Sequence, residues 1–289
     1  MCPFPKNSKN PFMWNRFSND IINTQRQGYH NGRRQGYNRY NGRYNAPYNI
    51  GIELEVANPM GEVALMPTNY FSYESDCSIN AFGWGVELVS MPIPHTLARR
   101  VEMWSGVCNW LEAKGFKSWE FGEEACGLHI HIGREALGSN QNERENNLGK
   151  LVYLYNKIND NTKRAIFGRP CGRWCNSDNL RTLQAINALN GNVTKEAFNA
   201  IGNEKNAQLE RYFEINTTNT HTIEFRRGRG SVNAKRIAMV VAFCDLLVEY
   251  CNKTTKVEKL NIQEFANYVK GLKKMEAHPL TTKLNEMGY

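Results

Sequence analysis

The sequence predicts an α+β protein in which a mainly antiparallel sheet carries helices packed on one side, preceded by a flexible basic tail. Three observations lead there. Four separated segments alternate apolar and polar residues with a period of two, the pattern of strands with one buried face. Longer segments between and after them repeat apolar residues at helical spacing. The charge is split: of a formal +8, residues 1–48 carry +7, eight Lys and Arg against Asp20 alone, and the body is left with 28 basic and 27 acidic residues. A chain of 289 residues, 41% hydrophobic and 22% charged, has the composition to bury a sizeable core, which excludes collagen-like and wholly disordered classes. Its most apolar stretch, Ile237 to Cys251, is interrupted by Asp245 and Glu249 and falls short of the roughly 20 apolar residues a bilayer span requires, so no membrane partner is expected.

In chain order, residues 25–48 form a degenerate Gly/Asn/Arg/Tyr repeat (Gln27-Gly28-Tyr29, Gln35-Gly36-Tyr37, Asn41-Gly42-Arg43-Tyr44) with no structural period and little aliphatic surface to offset ordering entropy. Residues 1–48 are therefore read as a flexible extension, able to meet nucleic acid or a partner protein, and residues 49–289 as the folded domain. Ordered structure starts with Ile50, Ile52, Leu54 and Val56 alternating with Gly51, Glu53 and Glu55. A second strand, residues 85–90, projects Glu87 opposite Val86 and Leu88 and ends at Pro92 and Pro94, since proline cannot continue a central ladder. Thr96 then offers an N-cap for a helix through Leu97, Val101, Trp104, Cys108 and Leu111, stopped by Gly115. In the third strand, residues 126–133, Leu128, Ile130 and Ile132 face one way and His129 and His131 the other.

A helical insert is expected around residues 134–210, with helices near 146–158 and 177–189. A hairpin follows: residues 211–216, a turn, then Thr222 to Arg226, with Glu224 and Arg226 opposite Ile223 and Phe225. Asn233 caps a long helix to Cys251, and a last helix runs from Asn261, with Glu264 three residues on, to about Lys274. The chain after Pro279 reads as peripheral. Of the eight cysteines, Cys171 and Cys175 have ligand spacing, but no second pair accompanies them to complete a structural zinc site. The opening Met-Cys-Pro-Phe-Pro-Lys lacks the apolar run of a secretory signal, so a reducing cytoplasm is the expected location.

The polar strand faces carry the chemistry. Glu53 and Glu55 lie ~7 Å apart along one face, and Glu87, His129, His131, Glu224 and Arg226 are added from other strands. Any one of these is ordinarily a solvated residue; acid or imidazole groups recurring opposite four apolar faces point to a shared site. Such a concentration of carboxylates calls for divalent cations, and oxygen-rich ligation selects Mg²⁺ or Mn²⁺ over zinc. Arg226 offers a planar fork for a carboxylate or phosphate.

The ordered series Gly51-Ile52-Glu53-Leu54-Glu55, Asp76-Cys77-Ser78, Gly85-Val86-Glu87-Leu88-Val89-Ser90-Met91-Pro92, Cys126-Gly127-Leu128-His129-Ile130-His131, Arg211-Tyr212 with Asn216, and Ile223-Glu224-Phe225-Arg226 resembles the amidoligase family. Those are carboxylate-amine ligases with a glutamine-synthetase-like fold, common in phages and bacteria. The resemblance spans residues 49 to about 251. It implies an ATP-dependent ligase that forms an amide through an acyl phosphate, acting on small-molecule, peptide or protein carboxylates and amines in the cytoplasm of a bacterial or phage-infected cell. It groups Glu53 with His129 and Glu224 around one metal and Glu55 with Glu87 around another. His131 is placed on the nucleotide phosphates, and Arg226 on the substrate carboxylate or transferring phosphoryl group. Arg211 and Glu87 join Arg226 as catalytic candidates, and Asp76 and Ser78 fall in a family motif assigned here to nucleotide binding.

Two other readings stay open on sequence. A metal-dependent hydrolase or nuclease would use the histidines and carboxylates around a water. A nucleic-acid-binding accessory protein would act through its Arg/Tyr tail. No nucleophile elbow or P-loop is present to suggest other chemistry.

Overall fold

The structure is a computed structural model that describes residues 46–63, 71–75, 79, 82–122, 125–173, 175–177, 180–187, 194–272, 275 and 278–289. Residues 1–45 of the basic extension, with Asp76 and Ser78, lie outside these residues, while Tyr48, at the end of the extension as read from sequence, is buried in the core. The strands are β1 (Asn49–Asn58), β2 (Phe71–Ser75), β3 (Trp84–Ser90), β4 (Ile93–Pro94), β5 (Gly127–Gly133), β6 (Ile215–Asn216) and β7 (Thr222–Arg229). They form one open sheet in the order β2-β3-β1-β5-β7-β6, with β4 beside the start of β1. Every pairing of these named strands is antiparallel. With helices α1 (His95–Ala98), α2 (Val101–Ala113), α3 (Gln141–Lys157), α4 (Asp160–Phe167), α5 (Leu180–Asn187), α6 (Lys195–Asn206), α7 (Ala234–Lys253), α8 (Ile262–Gly271) and α9 (Pro279–Glu286), the fold is α+β. Among the described residues no helix is long and apolar enough to cross a membrane.

Period-two alternation produces the two faces. Ile50, Ile52, Leu54 and Val56 of β1, Val86 and Leu88 of β3, Leu128, Ile130 and Ile132 of β5, and Ile223 and Phe225 of β7 are all essentially solvent-free and belong to one core. The same core takes in Trp104 and Leu111 of α2, Leu151 and Tyr155 of α3, and nearly the whole of α7. α7 is apolar almost all round, as a helix covered on several sides must be. Asn233 caps it by accepting from the Arg236 N–H, and Asn261 caps α8 by accepting from the Glu264 N–H.

Several elements differ from the sequence expectation for identifiable reasons. The helix expected from Thr96 is two helices broken at Arg99 and Arg100. There the Arg99 guanidinium turns to Asp245 and Glu249 of α7, and the Trp104 indole N–H donates to the Ala98 carbonyl at 2.8 Å. The stop at Gly115 is present, with φ +82°. α3 begins five residues before residue 146 because Asn140 caps a polar first turn, accepting from the Glu143 N–H. α4 and α6 are helices without an assigned sequence signal, and α5 falls within the helix expected over residues 177–189, of which 178, 179, 188 and 189 lie outside the described residues. The residues after Pro279 are not peripheral: α9 packs Leu280 and Leu284 fully into the core.

Candidate metal centre

Strand register determines which polar side chains meet. Glu53 pairs across with His129, and Gly51 with His131. On the other side of β1, Glu55 pairs with Glu87, which pairs in turn with Glu74 of β2. His131 pairs with Glu224, and Glu224 with Asn216. Cross-strand partners share a face, so acids and imidazoles from five strands rise from the side of the sheet opposite the core. A bulge in β7 opposite His129 carries Arg226 and Arg227. Arg226 stays with Glu224, while Arg227 is fully buried on ion pairs to Glu214 and Asp160.

Within this face, His131 Nε2 lies 3.2 Å from Glu53 Oε1 and 3.9 Å from Glu224 Oε1. His129 Nδ1 lies 3.3 Å from Glu53 Oε2 and 3.5 Å from Glu224 Oε1. Two groups of three have ligand atoms all within 4.8 Å of one another: Glu53, His131 and Glu224, and Glu53, Glu87 and His129. Glu53 is common to both. Around them, Asn216 Nδ2 donates to Glu224 Oε2 at 2.7 Å, Arg226 Nη1 contacts Glu224 Oε1, and Thr222 Oγ1 is 3.3 Å from His131 Nδ1. His129, Glu224 and Arg226 are buried, and Glu53, Glu87 and His131 are half-buried.

Electrostatics make the centre receptive to a cation. Burial opposes ionisation of Glu53, but the hydrogen bond with His129 and the close approach and charge of both imidazoles outweigh it and hold the carboxyl far below the usual range. Burial likewise disfavours a charged His131, yet Glu53 and Glu224 overcome both that and the repulsion of Arg226, raising its pKa. The His131 Nε2 atom is buried and, although close to Glu53, makes no aligned hydrogen bond. A buried imidazole nitrogen turned toward carboxylates, its other nitrogen held by Thr222, is a donor set that fits a divalent cation.

The structure regroups the residues expected from sequence. Glu53, Glu87, His129 and Glu224 come together, and His131 stands within ligand distance rather than apart from them. Glu55 joins neither group; its Oε2 accepts the Gly127 N–H. Arg211 is exposed, with its guanidinium 5.5 Å over the Tyr212 ring, the same ring that lies 5.6 Å from Arg226. It therefore adjoins the centre through Tyr212. Asp76 and Ser78 lie outside the described residues. Sequence reasoning missed Thr222, whose role depends on register alone, and Glu74, although Phe71 and Tyr73 alternate with it. Cys171 and Cys175 belong to no metal-binding group among the described residues, and burial with the nearby Glu214 charge pushes the Cys171 thiol up to about 11.

A family model described as "Putative amidoligase enzyme" matches residues 67–248, more than half of the chain. The match takes in Glu87, His129, His131, Arg211, Glu224 and Arg226 and begins after β1, which supplies Glu53 and Glu55. No curated protein matches the chain. With the ordered motifs and more than half of its length in agreement, the chain belongs to the amidoligase family.

Proposed function

We propose that this protein is an ATP-dependent carboxylate-amine ligase with a glutamine-synthetase-like fold. The observation that carries the reading is the pair of three-residue ligand groups sharing Glu53, with Arg226 against Glu224 on the same face. Condensing a carboxylate with an amine in water is uphill, so the acid must be activated. In the proposed reaction a carboxylate oxygen attacks the γ-phosphorus of ATP and ADP departs; the amine then attacks the acyl carbon and phosphate leaves.

Glu53, His131 and Glu224 would hold one Mg²⁺ or Mn²⁺, and Glu53, Glu87 and His129 a second. Bound there, such cations supply charge neutralisation at phosphoryl oxygens. The chain's own residues supply position and field. Glu53 is ionised at neutral pH without external help. Asn216 and Arg226 engage different oxygens of Glu224, fixing the plane of that carboxylate. The Arg226 guanidinium is held above Tyr212 where its planar fork meets an incoming carboxylate or phosphoryl group, and Arg211 adds charge on the same ring. No covalent enzyme nucleophile is called for.

The test is ADP release by the purified full chain with Mg²⁺ and panels of carboxylates and amines. Release that depends on both substrates, and falls by about a hundredfold or more in Glu53→Gln as expected for loss of a ligand common to both groups, supports the ligase. Folded protein that neither binds nor turns over ATP with any divalent cation overturns it.

A further inference from the structure

Residues 218–221, in the turn that joins β6 to β7, are exposed, and a turn of this kind ordinarily satisfies its carbonyls with water. This one is gripped by Arg134, the residue after β5. The Arg134 backbone N–H donates to the His221 carbonyl at 2.9 Å, Nε to the Asn219 carbonyl at 3.0 Å and Nη2 to the Thr217 carbonyl at 2.5 Å, while Nη1 reaches Asn206 Oδ1 of α6 at 2.9 Å. The guanidinium is thus committed to neutral oxygens, most of them in the turn. Within the turn, Asn219 Oδ1 accepts the N–H groups of His221 and Thr222 at 2.9 and 3.3 Å, and Thr217 Oγ1 donates to the Lys205 carbonyl at 2.8 Å. Hydrogen bonds from a charged donor are the stronger kind, so the backbone of the turn is held in one conformation.

The residues at the two ends of the turn explain why it is held. Asn216 and Thr222 are both buried. The Thr218 N–H donates to Asn216 Oδ1 at 2.9 Å, which orients the amide so that Nδ2 donates to Glu224 Oε2 at 2.7 Å. Thr222 Oγ1 stands 3.3 Å from His131 Nδ1, on the far side of the ring from Glu53 and Glu224, which Nε2 faces. His131 and Glu224 pair across β5 and β7 and belong to the ligand group completed by Glu53. Two of its three members are therefore oriented from one turn. A neutral imidazole carries a single N–H, and a cation on Nε2 requires that hydrogen to sit on Nδ1. Thr222 Oγ1 is the acceptor in place for it, and because a hydroxyl also donates, the same contact serves the other tautomer before a cation arrives.

We propose that the β6–β7 turn, braced by Arg134, is a positioning device for the cation site of Glu53, His131 and Glu224: Thr222 holds the His131 ring with its N–H on Nδ1 and Nε2 bare, and Asn216 aims the Glu224 carboxylate. Thr222, Asn216 and Arg134 are positioning residues, acting through the ligands and not on substrate. The proposal deepens the ligase reading and rests on it for the presence of the cation.

The experiment titrates the full chain with Mn²⁺ by calorimetry and records the coupling of imidazole nitrogen to the bound ion by pulsed electron paramagnetic resonance, with His131→Gln identifying the part of that signal due to His131. Thr222→Val matches the shape of the side chain and removes the hydroxyl, whereas Thr222→Ser keeps it. Thr222→Val is expected to lower Mn²⁺ affinity about tenfold or more and to lose the His131 part of the signal, and Thr222→Ser to retain both. Arg134→Gln is expected to weaken Mn²⁺ binding in the same direction, and its combination with Thr222→Val to cost less than the sum of the two, since both act through one turn. Equal Mn²⁺ affinity in Thr222→Val and the unaltered chain, or a Thr222→Ser variant no better than Thr222→Val, overturns the proposal, as does unchanged affinity in Arg134→Gln. An unaltered chain that binds no Mn²⁺ overturns the proposal and the ligase reading together. Mn²⁺ binding that depends on Thr222 and Arg134 in a chain that never releases ADP would leave the device standing and defeat the ligase reading alone. Substrate-dependent ADP release with Mn²⁺ affinity indifferent to Thr222→Val would do the reverse.

Discussion

The Glu224 carboxylate is shared among Asn216, Arg226, His129 and His131, and each neighbour constrains where its oxygens point. A set of this kind fixes ligand geometry before any ion arrives, and its tolerance for displacement is small. Gly127 shows how small. A β-carbon at this position would lie 2.8 Å from His129 Nε2 and 3.2 Å from Glu55 Oε2, so Gly127→Ala must swing the imidazole away from its place beside Glu53. The obstructing atom is the far end of a side chain and not backbone, which leaves the strand itself undisturbed. We expect Gly127→Ala to keep its thermal midpoint within a few degrees while its Mn²⁺ affinity drops about tenfold or more. Titration calorimetry beside a thermal melt checks this, and unchanged Mn²⁺ affinity would show that His129 lies outside the ligand set.

At the scale of elements, the period-two pattern was sufficient for β1, β3 and β5 and for the face each acid or imidazole occupies, because alternation is a local property of the chain. Strand order and register are not local, and they decide that Glu53 meets His129 while Glu55 meets Glu87. The β7 strand illustrates the limit: Arg226-Arg227-Gly228-Arg229 looks like the start of a charged loop, yet the bulge continues the strand to Arg229 and sends Arg227 into the core. Asn233 and Asn261 were legible as caps, whereas the break at Arg99 depends on Asp245, 146 residues away. The contact between α3 and α6 was equally hidden. A β-carbon on Gly149 would lie 1.9 Å from the Phe198 carbonyl oxygen, and one on Gly202 would lie 2.0 Å from that of Glu145, so the two helices touch backbone to backbone at two points. Either Gly149→Ala or Gly202→Ala must push the helices apart, at about 1–3 kcal/mol or more. Urea unfolding measures this loss, and the double variant is expected to lose less than the sum, since one separation relieves both clashes. Stability unchanged in both single variants would contradict the close packing.

At the scale of the whole molecule, a second charged network ties the start of the sheet to the C-terminal helices. Tyr48 donates to Asp245 at 2.7 Å, His95 approaches the same carboxylate at 3.2 Å, and Arg99 bridges Asp245 and Glu249. Lys253 and Tyr268 donate to Glu249, and His278, ahead of α9, meets the Arg99 carbonyl at 2.5 Å. Asp245 and Glu249, which interrupt the apolar run of α7 in the sequence, are thus the anchors of its neighbours. Burial raises the pKa of Glu249, but Lys253, Arg99 and Tyr268 outweigh it and hold the carboxyl near 2, against an ordinary 4.5. A depressed carboxyl stabilises the fold above its unfolded pKa, and that contribution is lost as pH falls from about 4.5 toward 2. Its size is on the order of 2–3 kcal/mol. Glu249→Gln imitates the protonated acid at every pH, so the stability gap between it and the unaltered chain traces this titration directly. We expect urea unfolding to give a gap of about 2–3 kcal/mol at pH 7, narrowing through pH 4 and closing as pH approaches 2. A gap that stays constant with pH would mean that Glu249 contributes through shape and hydrogen bonding, and that its charge does not hold α1 and α8 to α7.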